Sequence, residues 1–388
     1  MKSHQKDNIE KTILVISDIH LGAGDIVGGK KNLLEDFHND DDLVDFFSYY
    51  SSGVYDSRSV ELIINGDFFD FLAVPFIEYF DDEFWSEEAA LEKFKMIVNA
   101  HKDVLESLKK FLDKKDKNLV YVIGNHDGEF LFESLRENFS NLFKEKDRNK
   151  IKFLLEKDGE YCPGKGIIIK HGHEYEIANQ IDLDSSIIIG SGGRKYFLPP
   201  WGSYYVTRVI NKFKEERSYI NQVRPIKKFI ISGMIYDTLF TVRFILANLY
   251  YIFMVRFILY FKYSKNIQEI FTNMKKELKL FQDFESLVED FFEERKDIRI
   301  LIMGHTHNPI MRTYSNGAVF INTGTWTKMH YLDFDKQSNN NDLTYAKIHI
   351  KRKEEDENVG KGGVNFLENI ELYFNVWKGY NEEPFREF

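Results

Sequence analysis

Five short apolar runs, each closing on a cluster of Asp, Asn or His, set the limits on what this chain can fold into. Lys11–Ser17 ends in Asp18-Ile19-His20, and Val60–Asn65 ends in Gly66-Asp67-Phe68-Phe69-Asp70. Leu119–Ile123 ends in Gly124-Asn125-His126-Asp127, Gly166–Lys170 in His171-Gly172-His173, and Ile298–Met303 in Gly304-His305-Thr306-His307. Runs of this length that are continuously apolar, rather than alternating, belong to a sheet buried on both faces. Open α/β sheets carry their sites just past the carboxyl ends of the strands. The pattern therefore predicts an α/β protein in which five strands deliver polar groups to one shared site.

The intervening segments read as helices. Glu87–Leu112 carries Leu91, Phe94, Ile97, Val98, Leu105, Leu108 and Phe111 near the helical period, and Phe130–Phe143 is a shorter amphipathic stretch. Ala318–Asn322, Leu343–Lys351 and Ile370–Val376 read as further strands, and the charged, glycine-rich tract 351–363 as a loop. Asp25, in a glycine-rich stretch, reads as a turn residue.

Residues 191–295 break the pattern. They open on Gly190-Ser191-Gly192-Gly193 and Pro199-Pro200 and then turn helical. Between Arg194 and Lys228 nine basic residues stand against only Glu215 and Glu216, a surplus of seven in a chain whose net charge is −10. Phe229–Tyr263 is crowded with Phe, Ile, Leu and Tyr, yet its longest run without charge, Phe244–Val255, covers twelve residues. A membrane-crossing helix needs about 20, so none is predicted. Val242–Leu246 recurs as Val255–Leu259, a two-copy similarity that defines no repeat architecture. The domain reading is a discontinuous core, 11–190 with 296–380, interrupted by a helical insertion or cap over 191–295.

Composition excludes some classes. The acidic balance argues against a nucleic-acid binder by bulk charge. A single cysteine, Cys162, allows no intramolecular disulfide and fits a reducing compartment. Met1–Lys11 is polar and lacks the apolar stretch of a secretory signal. The expectation is a cytoplasmic protein, with peripheral contact at the inner face of a membrane through 191–295.

A shared carboxylate, imidazoles and an amide oxygen are what two divalent ions require for hydrolysis. Such ions acidify a bridging water and clamp phosphoryl oxygens. At these residues the chain resembles the calcineurin-like metallophosphoesterase family, whose pattern is D-x-H, G-D-x-x-D, G-N-H-[DE], an H-G-type motif and G-H-x-H. The resemblance covers about 11–190 and 296–330 and excludes the insertion. It implies a four-layer sandwich of two mixed β-sheets flanked by helices, an α/β (α+β) fold. It also implies a dinuclear phosphoester or diphosphate hydrolase working by in-line attack of hydroxide.

Carried over by position, the resemblance puts Asp18, His20 and His307 on one metal ion. Asn125, His171 and His305 fall on the other, and Asp67 bridges them. His126 contacts the phosphate and protonates the leaving group, with Asp70 orienting it. His173 and Asp127 are expected around the ligands or against the substrate. Mn²⁺ is the expected metal, although Fe and Zn²⁺ accept the same ligands. A basic stretch beside an aromatic one suits an anionic, amphipathic target, so the expected partner is a phosphorylated small molecule or lipid-linked substrate, or a membrane surface. UDP-2,3-diacylglucosamine pyrophosphatases are a looser resemblance of this kind. The alternatives are a nuclease or nucleotide phosphodiesterase of the same superfamily, and a non-catalytic scaffold with the same fold.

Overall fold

A computed structural model describes residues 8–76, 82–156, 158–254, 284–332, 339–352, 369–379 and 383–384. The apolar runs form strands in two sheets. The larger has the order Glu383–Pro384, Ile370–Trp377, Leu343–Lys351, Ile9–Ile16, Ser59–Asn65, Lys117–Val122, Ile151–Leu154. Ile9–Ile16 runs parallel to Ser59–Asn65 and antiparallel to Leu343–Lys351, so the sheet is mixed. The smaller has the order Ile310–Thr313, Val319–Asn322, Ile300–Met303, Ile167–Ile169.

The continuous apolar runs are explained by what lies on each side of them. Successive residues of a strand point to opposite faces. Ile13 and Val15 face Ile167, Ile169, Ile300 and Ile302 of the other sheet, while Leu14 and Ile16 face outward to Phe46, Phe47 and Leu105 of flanking helices. On the far side, Ile168, Leu301 and Met303 pack on Val288 and Phe292 of the helix Phe284–Glu294. Four layers result: helices, sheet, sheet, helix. Each such fully buried aliphatic side chain contributes roughly 1.5–3 kcal/mol. The five motif-bearing strands therefore do not share one sheet. Three end in the larger sheet and two in the smaller, and the carboxyl ends meet across the sandwich.

Two predicted helices are divided. The stretch Glu87–Leu112 is Glu87–Ala100 followed by Lys102–Asp113. Ser86 caps the first through its Oγ, which accepts from Ala89 N at 3.1 Å. His101, at φ −110° and ψ 38°, ends it. The apolar period runs straight through this break. What stops the helix is tertiary: buried His101 stands 2.7 Å from Asp40 Oδ1 and 3.8 Å from Glu35 Oε1. Phe130–Phe143 likewise resolves into a turn of 3₁₀ helix, Gly128–Leu131, and the helix Glu133–Asn141.

The excursion begins with the hairpin Ile187–Ile189/Lys195–Phe197, whose Phe197 is buried in the main core. Trp201–Lys214 is helical, with a π-helical turn at Val206–Ile210. Asn211 Nδ2 donates to Leu72 O at 2.8 Å, two residues from Asp70. Lys214 Nζ donates to Asp36 Oδ2 at 2.7 Å and to Leu34 O at 2.9 Å. The helices Ile226–Tyr236 and Thr238–Phe253 follow. The latter is apolar on both sides. Phe240 and Phe244 pack against Val209 and Phe213, while Leu239, Leu246, Leu249 and Tyr250, with Ile231 and Ile235 of the preceding helix, are 59–75% exposed. Among the described residues, no helix is long and apolar enough to cross a membrane. The second copy, Val255–Leu259, the end of the aromatic tract and most of the loop 351–363 lie outside the described residues.

Candidate metal centre

The ligand-type residues sit in turns that the strands force into unusual backbone geometry. Six non-glycine residues among those described have positive φ, and five are Asp18, His20, Asp67, His305 and His307, at 53–68°. This conformation is costly for a side chain with a Cβ and persists where the surroundings over-determine it. The neighbouring glycines are required by close approach. A Cβ on Gly124 would overlap Asp67 Oδ1, and one on Gly304 would overlap Asp18 Oδ2.

The side chains converge. His20 Nε2 lies 3.0 Å from His307 Nε2, which lies 3.3 Å from Asp18 Oδ1. His171 Nε2 lies 3.2 Å from Asp67 Oδ2 and 3.3 Å from Asn125 Oδ1. The clusters Asp18/His20/His307 and Asp67/His171/His305 each bring their ligand-type atoms within 4.8 Å of one another, and so does His20/Asp67/His126. Asp18, Asp67 and His171 are wholly buried or nearly so.

Hydrogen bonds fix each group from behind. Ser17 Oγ donates to Asp18 Oδ2, and His305 N donates to both Asp18 oxygens at 3.0 and 3.1 Å. His171 Nδ1 donates to Asn65 O at 2.8 Å, which leaves Nε2 free to face Asp67 and Asn125. His20 Nδ1 stands 3.4 Å from Asp70 Oδ2, which leaves its Nε2 toward His307. His126 N donates to Asp67 Oδ1 at 2.8 Å, and its Nδ1 lies 2.9 Å from Asp70 Oδ1. Asp70 Oδ1 also accepts from Leu72 N and Ala73 N at 3.1 and 3.2 Å.

These residues fit divalent ions. Two ligand atoms about 2.0–2.2 Å from a common ion stand roughly 3.0–3.4 Å apart at neighbouring coordination positions, as do the pairs above. The electrostatics agree. Burial opposes the charge on Asp67, yet His171 and His126 hold its carboxyl well below the usual range. Burial likewise opposes protonation of His171, but Asp67 and Asp18 raise its pKa to about 10. The pocket is built to hold positive charge.

Of the remaining predicted residues, Asp127 ties the loop together. It accepts from Gly124 N at 2.6 Å, Phe68 N at 3.0 Å and Tyr121 Oη at 2.7 Å. Burial and Asp67 push its pKa up to about 7. His173 is buried with its ring centroid 5.4 Å from that of His171, and burial takes its pKa down to about 4. The motifs missed Glu176, whose Oε2 stands 3.1 Å from His305 Nε2 and accepts from Asn179 Nδ2 at 2.7 Å. A carboxylate held against one imidazole nitrogen orients the ring. The available signal was an acid placed shortly after the His171-Gly172-His173 motif.

Residues 11–200 match the model of the calcineurin-like phosphoesterase family. Over those residues the chain belongs to that family. No curated protein matches the chain. Among solved structures, this chain is similar to zinc-complexed Vps29 of Entamoeba histolytica, at 19% identity over 26% of this chain and 44% of that one, with a TM-score of 0.15. It is similar to a dimetal phosphatase of Danio rerio, at 11% identity over 98% of this chain and 100% of that one, TM-score 0.38. It is also similar to a 5'-nucleotidase of Candida albicans, at 11% identity over 95% of this chain and 52% of that one, TM-score 0.28. The chain thus spans less than half of the Vps29 chain and about half of the nucleotidase.

Proposed function

We propose that the phosphoesterase holds two divalent ions, Mn²⁺ in the first instance. Asp18, His20 and His307 hold one, Asn125, His171 and His305 hold the other, and Asp67 is shared. The observation that carries this is the pair of facing imidazole nitrogens, His20 Nε2 and His307 Nε2, 3.0 Å apart beside buried Asp18. The ions, when bound, neutralise phosphoryl oxygens and make water a competent nucleophile at neutral pH.

The chain's own groups do the rest. Asp70, bonded to His126 Nδ1, leaves Nε2 of that ring to face the substrate. Burial resists the charge on His126, but Asp70 and Asp67 raise its pKa to about 9, which favours the protonated ring. It binds a phosphoryl oxygen and gives that proton to the leaving oxygen as the P–O bond breaks. His20 shares Asp70, so the ligand and the acid are aligned by one carboxylate.

The substrate in this reading is an amphipathic, lipid-linked phosphoester or diphosphate, met at a membrane surface by the insertion acting as a cap beside the site. Support comes from the bond between Asn211 and Leu72 next to Asp70, and from the exposed apolar face of Ile226–Tyr236 and Thr238–Phe253. Monomeric proteins rarely leave large contiguous apolar patches to water. A nuclease is less well supported, because part of the basic surplus is neutralised: Arg194, Lys195, Lys214 and Arg217 each pair with a carboxylate. The test is a substrate screen with Mn²⁺ across bis-p-nitrophenyl phosphate, p-nitrophenyl phosphate, cyclic nucleotides and lipid diphosphates. The reading expects the highest kcat/KM on a lipid diphosphate; a clear preference for nucleotides overturns the substrate class and leaves the metal chemistry standing.

A further inference from the structure

We propose that Glu176 is a positioning residue for His305 and that the insertion holds it in place, so that the seating of the insertion governs how tightly one of the two ions binds. This rests on the two-ion reading above and adds to it a residue outside every motif.

The first observation is how the proposed ligand histidines are steadied. His171 Nδ1 donates to Asn65 O at 2.8 Å and His20 Nδ1 stands 3.4 Å from Asp70 Oδ2, so both are aligned from within the core. His305 takes its partner from elsewhere. Its Nε2 stands 3.1 Å from Glu176 Oε2, while the ring belongs to the cluster with Asp67 and His171. A neutral imidazole has one N–H and one lone pair. Giving the Nε2 proton to Glu176 keeps the Nδ1 lone pair for an ion. The Glu176 side chain is 45% exposed, and an exposed pair is weak when its side chains are free to move. Here the carboxylate is not free. Asn179 Nδ2 donates to the same oxygen, Oε2, at 2.7 Å. Asn179 N and Gln180 N both donate to Glu176 O, at 2.8 and 3.0 Å, and close the turn.

The second observation is what that turn rests on. Gly202, buried in the insertion's first helix, Trp201–Tyr205, donates its N–H to Ala178 O at 2.7 Å. The packing leaves no slack: a Cβ on Gly202 would overlap Asn179 Oδ1 and Ala178 O. Tyr251 Oη, on the helix Thr238–Phe253, donates to Trp201 O at 2.9 Å. Contacts therefore run from that helix, with its exposed apolar face, through Trp201 and Gly202 to Asn179, Glu176 and His305. Displacing Trp201–Tyr205 moves Asn179, and with it the carboxylate that sets the ring.

The test uses the full-length protein, stripped of metal and titrated with Mn²⁺ alone by calorimetry, with the Tm of the metal-free protein measured alongside. Loss of a partner behind a metal-binding histidine typically costs about 10–100-fold in metal affinity. Glu176→Ala should weaken one of the two binding steps by about that factor and leave the other unchanged. Glu176→Gln should recover part of the loss, since its amide oxygen still accepts from the ring. Gly202→Ala should weaken the same step, and combined with Glu176→Ala it should add nothing, because both act through one ring. Should Gly202→Ala not fold, Asn179→Ala, which removes the donor to Glu176 without a clash, carries the same expectation. Both steps at wild-type affinity in Glu176→Ala overturn the proposal. So does a lowered Tm with both steps weakened alike, because Glu176 then supports the fold rather than His305. A loss in Glu176→Ala that neither Gly202→Ala nor Asn179→Ala shares overturns the link to the insertion. Wild-type protein that binds no Mn²⁺ overturns the two-ion reading together with this one.

Discussion

Replacing His126 by alanine separates the proposed acid from the proposed metal ligands. Among the described residues the imidazole makes one protein hydrogen bond, to Asp70 Oδ1 at 2.9 Å, and the contact of residue 126 with Asp67 runs through the backbone N–H, which alanine keeps. Asp70 retains Leu72 N, Ala73 N and His20 as partners, so its position survives. Metal binding should therefore persist while the proton donor is lost. Positioned general acids contribute about 10²–10⁴-fold, or roughly 3–5 kcal/mol of transition-state stabilisation. The loss must also depend on the leaving group. p-Nitrophenolate departs without a proton and an alkoxide does not, so kcat should fall least on p-nitrophenyl phosphate and most on an alkyl ester. The assay is kcat on both esters at saturating Mn²⁺, with metal stoichiometry determined on the same samples. An equal loss on the two esters would refute the acid role and leave only phosphate contact. Loss of metal would make His126 a ligand. Asp70→Asn should show a milder form of the same leaving-group dependence.

Two other consequences can be measured separately. Burial opposes the charge on His101, but Asp40 and Glu35 raise its pKa to about 9. Its stabilisation is therefore present in full below about pH 6.5 and is lost as pH rises through 9; a rise of that size is worth at most about 3 kcal/mol. Asp40 is 38% exposed, which reduces it to roughly 2 kcal/mol. Urea unfolding between pH 6 and 10 should show this decline in the wild type but not in His101→Gln, and an identical decline in both would remove His101 as its cause. On the insertion, Leu239→Glu with Leu246→Glu should abolish co-sedimentation with anionic vesicles while the protein stays folded; undiminished sedimentation would show that this face is not the membrane contact.

The strand framework was legible because burial on both faces writes itself into sequence as unbroken apolar runs, as in Ile13 to Ile16. The division into two sheets was not legible from the runs themselves, since Ile167–Ile169 and Ile300–Met303 look like Ser59–Asn65; only the family resemblance carried it. The break at His101 was hidden because its cause, the pairing with Asp40 and Glu35, is remote in sequence and the apolar period continues past it. The candidate ligands could be named because Asp, Asn and His recur at fixed places after strands. Glu176 could not, since it acquires meaning only from a neighbour brought by the fold, His305. The left-handed backbone at Asp18, His20, Asp67, His305 and His307 also runs against local preference, as expected where a site over-rides it.

The central claim is that one carboxylate, Asp67, is shared by two ions, and metal analysis of Asp67→Ala tests it most directly. Asp67 Oδ2 stands 3.2 Å from His171 Nε2 and 4.0 Å from His20 Nε2, between the two imidazole groups. The wild type should bind two Mn²⁺ per chain. The variant should bind both more weakly, with the loss appearing in each of the two binding steps rather than in one. Two ions bound to Asp67→Ala with wild-type affinity would contradict the account.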